Sequence, residues 1–227
     1  MVRNGRAPDG RQRYVCRDCG RRSREAPRSQ AYSAAERETI LRAYQERASL
    51  RGLRRVFGVS RTRVSGWLKK KALSLPPLAS LLRPPMAEEP LVLELDELWS
   101  FVGRKGRVAW VWVALDRAKR QVVACVLGDR SAATCRALWE QVPAPWRVAT
   151  CYSDFWEAYQ AVIPADQHRA VGQETGETAH VERWNNTLRQ RLGRFVRKTL
   201  SFSKSDRMHG YCLALFLHAY NRSLASP

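Results

Sequence analysis

The sequence predicts a two-part protein of the α+β or α/β class, in which a small helical domain precedes a larger domain with a mixed sheet. Residues 33–74 place apolar side chains at helical spacing, and after residue 90 the pattern changes to short strand-like apolar runs. Between them, residues 76–90 contain five prolines. Because proline continues neither a helix nor a central strand, we expect a linker there. The predicted domains are therefore residues 31–75 and 91–227.

The charge of the chain indicates a nucleic-acid partner. The 227 residues carry a formal net charge of +19, and residues 1–90 alone hold 21 Lys and Arg against 8 Asp and Glu. Such an excess attracts a phosphate backbone. A ribosomal-type basic protein could share this charge, but it would not need eight tryptophans or a second half large enough for a core. We expect double-stranded DNA to be the partner.

The composition also bounds the location of the protein. No apolar run approaches the ~20 residues that span a membrane, and the N-terminus lacks the apolar stretch of a signal peptide. Six cysteines are few for a disulfide scaffold of this length. We therefore expect a cytoplasmic, nucleoid-associated protein with no membrane partner.

Residues 1–30 contain a single Cys-x-x-Cys-Gly turn, formed by Cys16 and Cys19. Such a turn places two thiolates on one zinc ion, but a closed structural site needs four ligands. No other cysteine or histidine lies in this segment. The alternatives are a zinc site completed from elsewhere and half of a zinc ribbon whose second knuckle is missing, so we interpret the segment as a partial zinc ribbon.

The helical stretch has the pattern of a helix-turn-helix. Ser33 and Glu36 form a capping box before a first helix, a second helix starts near Ser49, and Gly58 ends it. A third helix follows, and its polar face would lie in the major groove. Arg61, Thr62, Arg63 and Ser65 would contact bases or phosphates there. The alternative is a basic three-helix bundle with a solvated face.

The second domain predicts three antiparallel strands, a helix, a strand, a helix, a strand and two closing helices. Residues 91–99, 108–115 and 121–127 are the first three strands, joined by short polar turns. Residues 131–142 form a helix, 146–152 a strand, 154–161 a helix and 168–171 a strand, and the last two helices cover 178 to about 196 and 208–221. This order is typical of the ribonuclease H-like topology.

Three carboxylates fall on these elements at positions suited to metal binding. Asp96 lies on the first strand, Asp154 directly after the fourth, and Glu182 on the following helix. An acid among apolar residues is costly unless a cation compensates it. Two-metal phosphoryl transfer requires such carboxylates to hold magnesium or manganese ions. Asp96 is preferred over Glu97 because strand alternation sends Glu97 to the opposite face, and Asp116 and Asp129 lie at turns that they would cap.

The helix that carries Glu182 is rich in polar and basic residues. Asn185, Asn186 and Arg189 lie on or beside the face of Glu182, where they can meet the scissile phosphate. A solvated helix face is the alternative. Further basic residues for a DNA-backbone track are Arg197, Lys198 and Lys204. His180 is equally compatible with a capping role and with a role at the site.

The segments around these carboxylates resemble one family. LDELWSFVG at Asp96, YSDFW at Asp154, HVERWNNTLRQRL at Glu182 and the tail RKTLSFSK at residues 197–204 are similar to transposases of the insertion sequence 1 family, over about residues 1–222. The resemblance implies a DDE transposase that binds terminal inverted repeats and target DNA as a homo-oligomer. It implies Asp96, Asp154 and Glu182 as the catalytic triad and Arg189 as the basic residue that follows it.

Two other functions remain open from the sequence. One is a DNA-binding regulator of the element whose catalytic half is inactive, and the other is a ribonuclease H-like nuclease or resolvase. The presence of all three carboxylates argues against an inactive regulator. Binding to inverted repeats would distinguish a transposase from a nuclease or resolvase. The family's zinc finger has an earlier cysteine pair before an Arg-Asn-Gly segment, whereas this chain starts two residues before Arg3-Asn4-Gly5. We therefore expect a truncated finger or a misassigned start.

We expect the purified chain to carry well under one tightly held zinc ion, because Cys16 and Cys19 supply half of the ligands that a structural site needs. Metal analysis after dialysis measures this content, and adding an upstream Cys-x-x-Cys segment should raise it. Stoichiometric zinc on the chain as it stands would contradict the truncation and require ligands from elsewhere, such as a second subunit.

Overall fold

The computed structural model describes residues 1–26, 32–86 and 90–224. The chain forms two compact units, Met1–Arg37 and Glu38–Pro227, and each is described by itself. The predicted boundary near residue 30 and residues 87–89 of the predicted proline-rich linker lie outside the described residues. The predicted domain limits stay predictions.

The first unit contains a three-stranded antiparallel sheet that the sequence analysis did not predict. Its strands are β1 (Val2–Arg6), β2 (Gln12–Val15) and β3 (Arg22–Arg24), with β2 in the centre. The loop between β2 and β3 holds Cys16 and Cys19. The N–H of Gly20 donates to the carbonyl of Cys16 at 3.0 Å, and Gly20 has a φ of 66°, a conformation that favours glycine. The cysteine turn is therefore closed by the backbone.

Three helices follow: α1 (Ala34–Gln45), α2 (Leu50–Phe57) and α3 (Arg61–Leu73). Ser49 and Ser60 cap α2 and α3 by accepting from N–H groups of their first turns. Gly58 ends α2 in the left-handed conformation, so the chain turns sharply before α3 begins. This order matches the predicted helices, while a DNA-reading role for α3 stays a prediction.

The second unit is built on a five-stranded mixed sheet. Its strands are β4 (Val92–Phe101), β5 (Val108–Asp116), β6 (Val122–Gly128), β7 (Thr150–Ser153) and β8 (His168–Ala170). The order is β6-β5-β4-β7-β8, with β4, β5 and β6 antiparallel and β7 and β8 parallel to β4. This α+β arrangement is consistent with the predicted ribonuclease H-like topology.

Helices cover both faces of the sheet. On one face lie α4 (Ala132–Gln141) and α5 (Glu157–Gln160); on the other lie α6 (Ala179–Arg191) and α7 (Asp206–Ser223). The ring of Tyr159 on α5 packs edge-on against that of Trp112, with centroids 5.3 Å apart. Because both faces are covered, β5 and β6 consist almost entirely of apolar residues, whereas β4 also carries the acids Glu94, Asp96 and Glu97.

Two predicted elements have different limits in the structure. The fourth strand begins at Thr150 rather than at residue 146, because the prolines at 143 and 145 favour a short 3₁₀ turn, Ala144–Trp146. The helix predicted to run to about residue 196 ends at Arg191, and a second short turn covers Gly193–Phe195. Glycine disfavours continuation of a helix, so the chain changes direction there.

The α1–α3 segment packs on the sheet domain within the second unit. The phenol of Tyr44 on α1 lies 3.3 Å from the sulfur of Cys212 on α7 and accepts a hydrogen bond from Arg194. Arg194 is buried and also donates to Ser203 at 2.8 Å. None of the helices in the described part of the chain combines the length and the apolarity needed to cross a membrane. The polar contacts of Tyr44 and Arg194 fix the start of the segment that follows α6.

Candidate active site

The two predicted aspartates follow the paired part of two neighbouring strands. In the parallel pair of β4 and β7, the last paired residues are Glu94 and Tyr152. Asp96 and Asp154 each come two residues later, and the charge of Asp154 acts on Asp96. Asp154 directly follows β7, where its Oδ1 accepts from the N–H of Trp156 at 3.0 Å. This local turn delays α5 relative to the predicted start at Asp154.

A buried carboxylate from β4 holds the N-terminus of α6. Glu94 is fully buried, and its Oε2 accepts from the N–H groups of His180 and Val181 at 2.9 and 3.0 Å. These N–H groups belong to the first turn of α6, which has no capping bond from the side chain of Thr178 at its own N-cap. Glu94 therefore supplies the cap from another element, and its charge is favourable at the positive end of the helix.

Arg117 and the imidazole of His180 complete the surroundings of Glu94. Arg117 donates to Oε1 from Nε at 2.8 Å and forms an ion pair with Glu177 at 2.7 Å, while the Nδ1 of His180 lies 2.5 Å from Oε1. Burial raises the pKa of Glu94, and the hydrogen bonds from Val181 and Arg117 oppose that shift. His180 therefore contacts the carboxylate that caps α6, in agreement with the capping role that was one of its two predicted alternatives.

A second contact ties the middle of α6 to the same strand. Asn185 is buried, and its Nδ2 donates to Oδ2 of Asp96 at 2.6 Å. Glu182, one turn earlier on α6, accepts from the hydroxyl of Thr178 at 2.9 Å. Since Glu94 and Asp96 lie on one face of β4, α6 is fixed along the strand at two points. This attachment brings Glu182 near enough to Asp96 for its charge to act on that carboxyl.

The surroundings of Asp96 oppose its ionisation. Burial, followed by the negative charge of Glu97 and then those of Asp154 and Glu182, raises the pKa of Asp96 to about 7, although the N–H of Glu97 donates to it at 2.8 Å. The charges of Asp154 and Glu182 therefore both reach Asp96. A cation between them would remove this repulsion.

Arg189 lies on the same side of α6 as Asn185. Burial and the charge of Arg197 lower the pKa of Arg189, while the charge of Asp96 raises it. The Nε of Arg189 and the Oδ1 of Asn185 are buried and have no hydrogen-bond partner among the described residues. Buried polar atoms are usually paired, so these two groups are suited to a ligand at the site.

Glu97 belongs to the opposite face of the sheet. Tyr159 donates to its Oε2 at 2.7 Å and Arg130 to its Oε1 at 2.7 Å, so α5 and the start of α4 enclose it. Burial raises its pKa, and these two donors oppose the shift. Asp116 accepts from Trp146 and Lys119, and Asp129 accepts from two hydroxyl groups at the start of α4. These contacts give the two turn aspartates structural roles.

The donor set suits magnesium or manganese, which prefer carboxylate oxygens. Within the described ranges, no three His, Cys, Asp or Glu side chains are already grouped closely enough to hold an ion. Instead, one oxygen of each of Asp96, Asp154 and Glu182 accepts an intramolecular hydrogen bond, from Glu97 N–H, Trp156 N–H and the Thr178 hydroxyl. Their number, charge and mutual repulsion fit a shared cation site that side-chain rotation would complete.

The residues predicted to contact DNA lie at several places in the second unit. Arg61, Thr62 and Arg63 are exposed at the start of α3, with Ser65 partly buried behind them. Asn186 is exposed on α6, whereas Asn185 is occupied by Asp96. Arg197, Lys198 and Lys204 are exposed in the segment between α6 and α7. In the first unit, N–H groups of Cys19 and Asp18 lower the pKa of Cys16, which favours its thiolate.

The sequence analysis missed the residues that position the site. Glu94 was not singled out, although its period-two relation to Asp96 in an apolar strand was a usable signal. Arg117 and Tyr159 gave no local signal, because their roles depend on partners that are 23 and 62 residues away in the chain. Such pairings follow from the sheet and not from neighbouring residues.

The sheet domain is similar to known insertion-element proteins. Residues 90–221 match the family profile described as IS1 transposase. The insertion element iso-IS1n protein InsB of Shigella dysenteriae is 38% identical over 132 residues, which are 57% of this chain and 96% of the relative. The insertion element IS1 protein InsB of Shigella flexneri is 38% identical over 125 residues, 55% of this chain and 92% of the relative. The insertion element IS1 4 protein InsB of Escherichia coli K12 is 37% identical over 125 residues, 55% of this chain and 72% of the relative.

Replacing Glu94 with Gln should destabilise the protein by about 3 kcal/mol, because it removes the buried charge that pairs with Arg117 and caps α6. Urea unfolding followed by circular dichroism measures the loss. Glu140→Gln, an exposed change on α4, is the matched control and should shift stability by less than about 0.5 kcal/mol. Equal midpoints for Glu94→Gln and the unaltered protein would contradict the capping role.

Replacing Asp96 with Asn should stabilise the metal-free protein at pH 8. In the unfolded chain Asp96 ionises near pH 3.8, and in the folded protein near 7. Between these values the folded state holds an additional proton, so this group's contribution to stability falls as pH rises towards 7 and stays low above it. The amide avoids that cost, and we expect a gain of about 1–3 kcal/mol at pH 8 that disappears near pH 4.

Thermal unfolding in chelator at the two pH values measures this gain. Magnesium should raise the melting temperature of the unaltered protein more than that of Asp96→Asn, because the cation binds the ionised site. Asp166→Asn, an exposed change, controls for a general charge effect. A variant that is less stable at pH 8 would show that Asp96 is not held against its ionisation.

Proposed function

The chain belongs to the IS1 transposase family, and on that premise we propose that it is a DDE transposase that cleaves and joins DNA at the ends of an insertion element. The observation that carries this proposal is the attachment of α6 to β4 through Glu94 and Asp96. It brings the helix of Glu182 beside the strand of Asp96, and the charges of Glu182 and Asp154 both act on Asp96. Such surroundings support a bound cation as the partner of these acids.

Asp96, Asp154 and Glu182 would hold a pair of magnesium or manganese ions. When bound, these ions activate the attacking hydroxyl or water and stabilise the leaving oxygen of the phosphodiester. Asn185 orients Asp96 through its 2.6 Å hydrogen bond, which limits the rotation of this ligand. Glu94 acts indirectly, because it fixes the position of α6, the helix that carries Glu182.

Arg189 supplies a positive group beside the carboxylates. Its Nε is buried without a hydrogen-bond partner among the described residues, and its charge acts on Asp96. A phosphate at the site would satisfy this group and gain a charge-assisted hydrogen bond. Arg189 is therefore suited to position the scissile phosphate, and the neighbouring charge of Arg197 extends the same track.

We assign DNA binding to α2 and α3, which we interpret as a helix-turn-helix. Val64 and Leu68 on α3 are buried, while Arg61, Thr62 and Arg63 in its first turn are exposed. This division leaves a basic helix start for the major groove and a packed face for the preceding helices. The family and the sign of the charge both support DNA as the partner, and terminal inverted repeats are the proposed sites.

Replacing Asp96 or Asp154 with Asn, or Glu182 with Gln, should each reduce strand cleavage and joining by at least about a hundredfold while DNA binding changes little. Loss of one carboxylate disrupts metal placement, whereas the proposed DNA-reading helix lies elsewhere. A magnesium-dependent assay on a plasmid that carries the element's own ends measures both reactions.

Asp166→Asn is the matched control for this series, because Asp166 is exposed and outside the site. It should retain the activity of the unaltered chain. Full activity in any one of the three variants would remove that residue from the proposed site. No cleavage by the unaltered chain, with DNA binding intact, would favour the regulator over the transposase.

Binding of the full chain to duplex DNA should weaken steeply as salt increases, because each phosphate contact releases counterions. Arg61→Ala should lower the affinity by about 1–3 kcal/mol if the side chain reads a guanine, or reduce the salt slope by about one unit if it contacts a phosphate. Fluorescence anisotropy over a salt series separates these cases.

The control for this measurement is Arg136→Ala, which removes an exposed arginine from α4 on the other side of the sheet. Its affinity and slope should match those of the unaltered chain. An affinity that does not change between low and moderate salt would contradict binding through the phosphate backbone.

A further inference from the structure

A cleft of about 460 Å³ lies where the start of α2, the first turns of α3 and the segment between α6 and α7 meet. Its volume is within the range of about 300–1,000 Å³ that is typical of sites for small molecules. All of its lining residues belong to the second unit. The proposed carboxylate site does not account for this cleft, since none of Asp96, Asp154 and Glu182 lines it.

The lining of the cleft is strongly basic. Its cationic side chains are Arg47, Arg51, Arg55, Arg61, Arg194 and Lys204, and no described residue of the lining is acidic. Ser49 and Ser205, the N-caps of α2 and α7, also line it, so two helix N-termini add to the positive potential. A cavity with this charge pattern favours a phosphate group.

The remaining surface of the cleft is apolar, which a phosphate alone would not need. Leu50, Leu200, Phe202 and Met208 contribute to the lining. Leu200 is 94% exposed, so its side chain is open to a ligand. The ring of Phe202 packs against Phe101 with centroids 5.5 Å apart, so its position is fixed. Aromatic and aliphatic side chains of this kind contact the faces of unpaired bases.

We propose that this cleft binds one unpaired nucleotide of the DNA strand, with its phosphate at the arginines and its base against Leu200 and Phe202. The volume suits one base with its sugar and phosphate and excludes a duplex. The inference rests on the proposed function, since it takes the DNA bound at α3 as the source of the nucleotide. Arg61 lies both on α3 and in the cleft wall, so one strand can contact the two sites.

The cleft is also connected to the carboxylate site through the chain. The segment that contributes Arg194, Leu200 and Lys204 starts directly after α6, which carries Glu182 and Arg189. Arg197 from this segment acts electrostatically on Arg189. A nucleotide held in the cleft would therefore order the segment next to the reacting strand.

The test compares two labelled duplexes of about 20 base pairs with the full chain by fluorescence anisotropy. One duplex is blunt, and the other has the same sequence with a short overhang of unpaired thymidines. We expect the unaltered chain to bind the overhang form at least about fivefold more tightly, which is the scale of one stacked base. Leu200→Ser and Arg55→Ala should each reduce this preference to near unity.

Matched controls separate the cleft from general effects. Leu73→Ser removes another exposed leucine, at the end of α3, and Arg136→Ala removes an exposed arginine on α4. Both should keep the preference for the overhang. Because Leu200 and Arg55 are exposed, their variants should melt at the temperature of the unaltered chain.

Three results would overturn the inference. They are equal affinity of the unaltered chain for the two duplexes, a preference that survives both cleft variants, and binding of thymidine monophosphate alone as tight as that of the overhang duplex. The last would make the cleft a site for free nucleotides. Absence of binding to the blunt duplex would count against the proposed DNA-binding function, whereas blunt binding without an overhang preference counts against the cleft alone.

Discussion

The hydrogen bonds of Glu94 are the constraint on which the candidate site depends. A carboxylate without solvent contact is costly, and this one is retained because Arg117, His180 and the N–H of Val181 all donate to it or pair with it. The same oxygens cap α6, so the contacts that offset the cost of burying Glu94 also fix the position of α6. The location of Glu182 and Asn185 relative to the sheet follows from that contact.

The sheet carries a cluster of buried acids on β4 among otherwise apolar side chains. Asp96 has a pKa near 7 because it is buried beside other acids. Glu97, its neighbour in the strand, is stabilised by Tyr159 and Arg130 on the other face. Such a cluster lowers the stability of the metal-free fold, which agrees with the proposed cation site.

The α1–α3 segment and the sheet domain share one packed interface in the second unit. Tyr44 from α1 contacts Cys212 on α7 and accepts from Arg194, which follows the helix of the carboxylate site. The pKa of Tyr44 is raised because the phenol is buried, so it stays protonated and can donate as well as accept. This interface gives a short physical route between the proposed DNA-reading helices and the carboxylates.

The sequence by itself determined the order of α1–α3 and of the strands and helices of the sheet domain, because period-two and helical apolar patterns are local and Gly58, the serine caps and the prolines set most of the boundaries. The sequence also proposed Asp96, Asp154 and Glu182, whose shared role stays a prediction. It misjudged the limits at residue 146 and after Arg191, where short turns replace regular structure. Tertiary structure alone decided that Glu94 caps α6, that Asn185 donates a hydrogen bond to Asp96, and that Arg61 and Lys204 line one cleft. Those outcomes depend on groups far apart in the chain, and desolvation and charge act between them only after the sheet has brought them together.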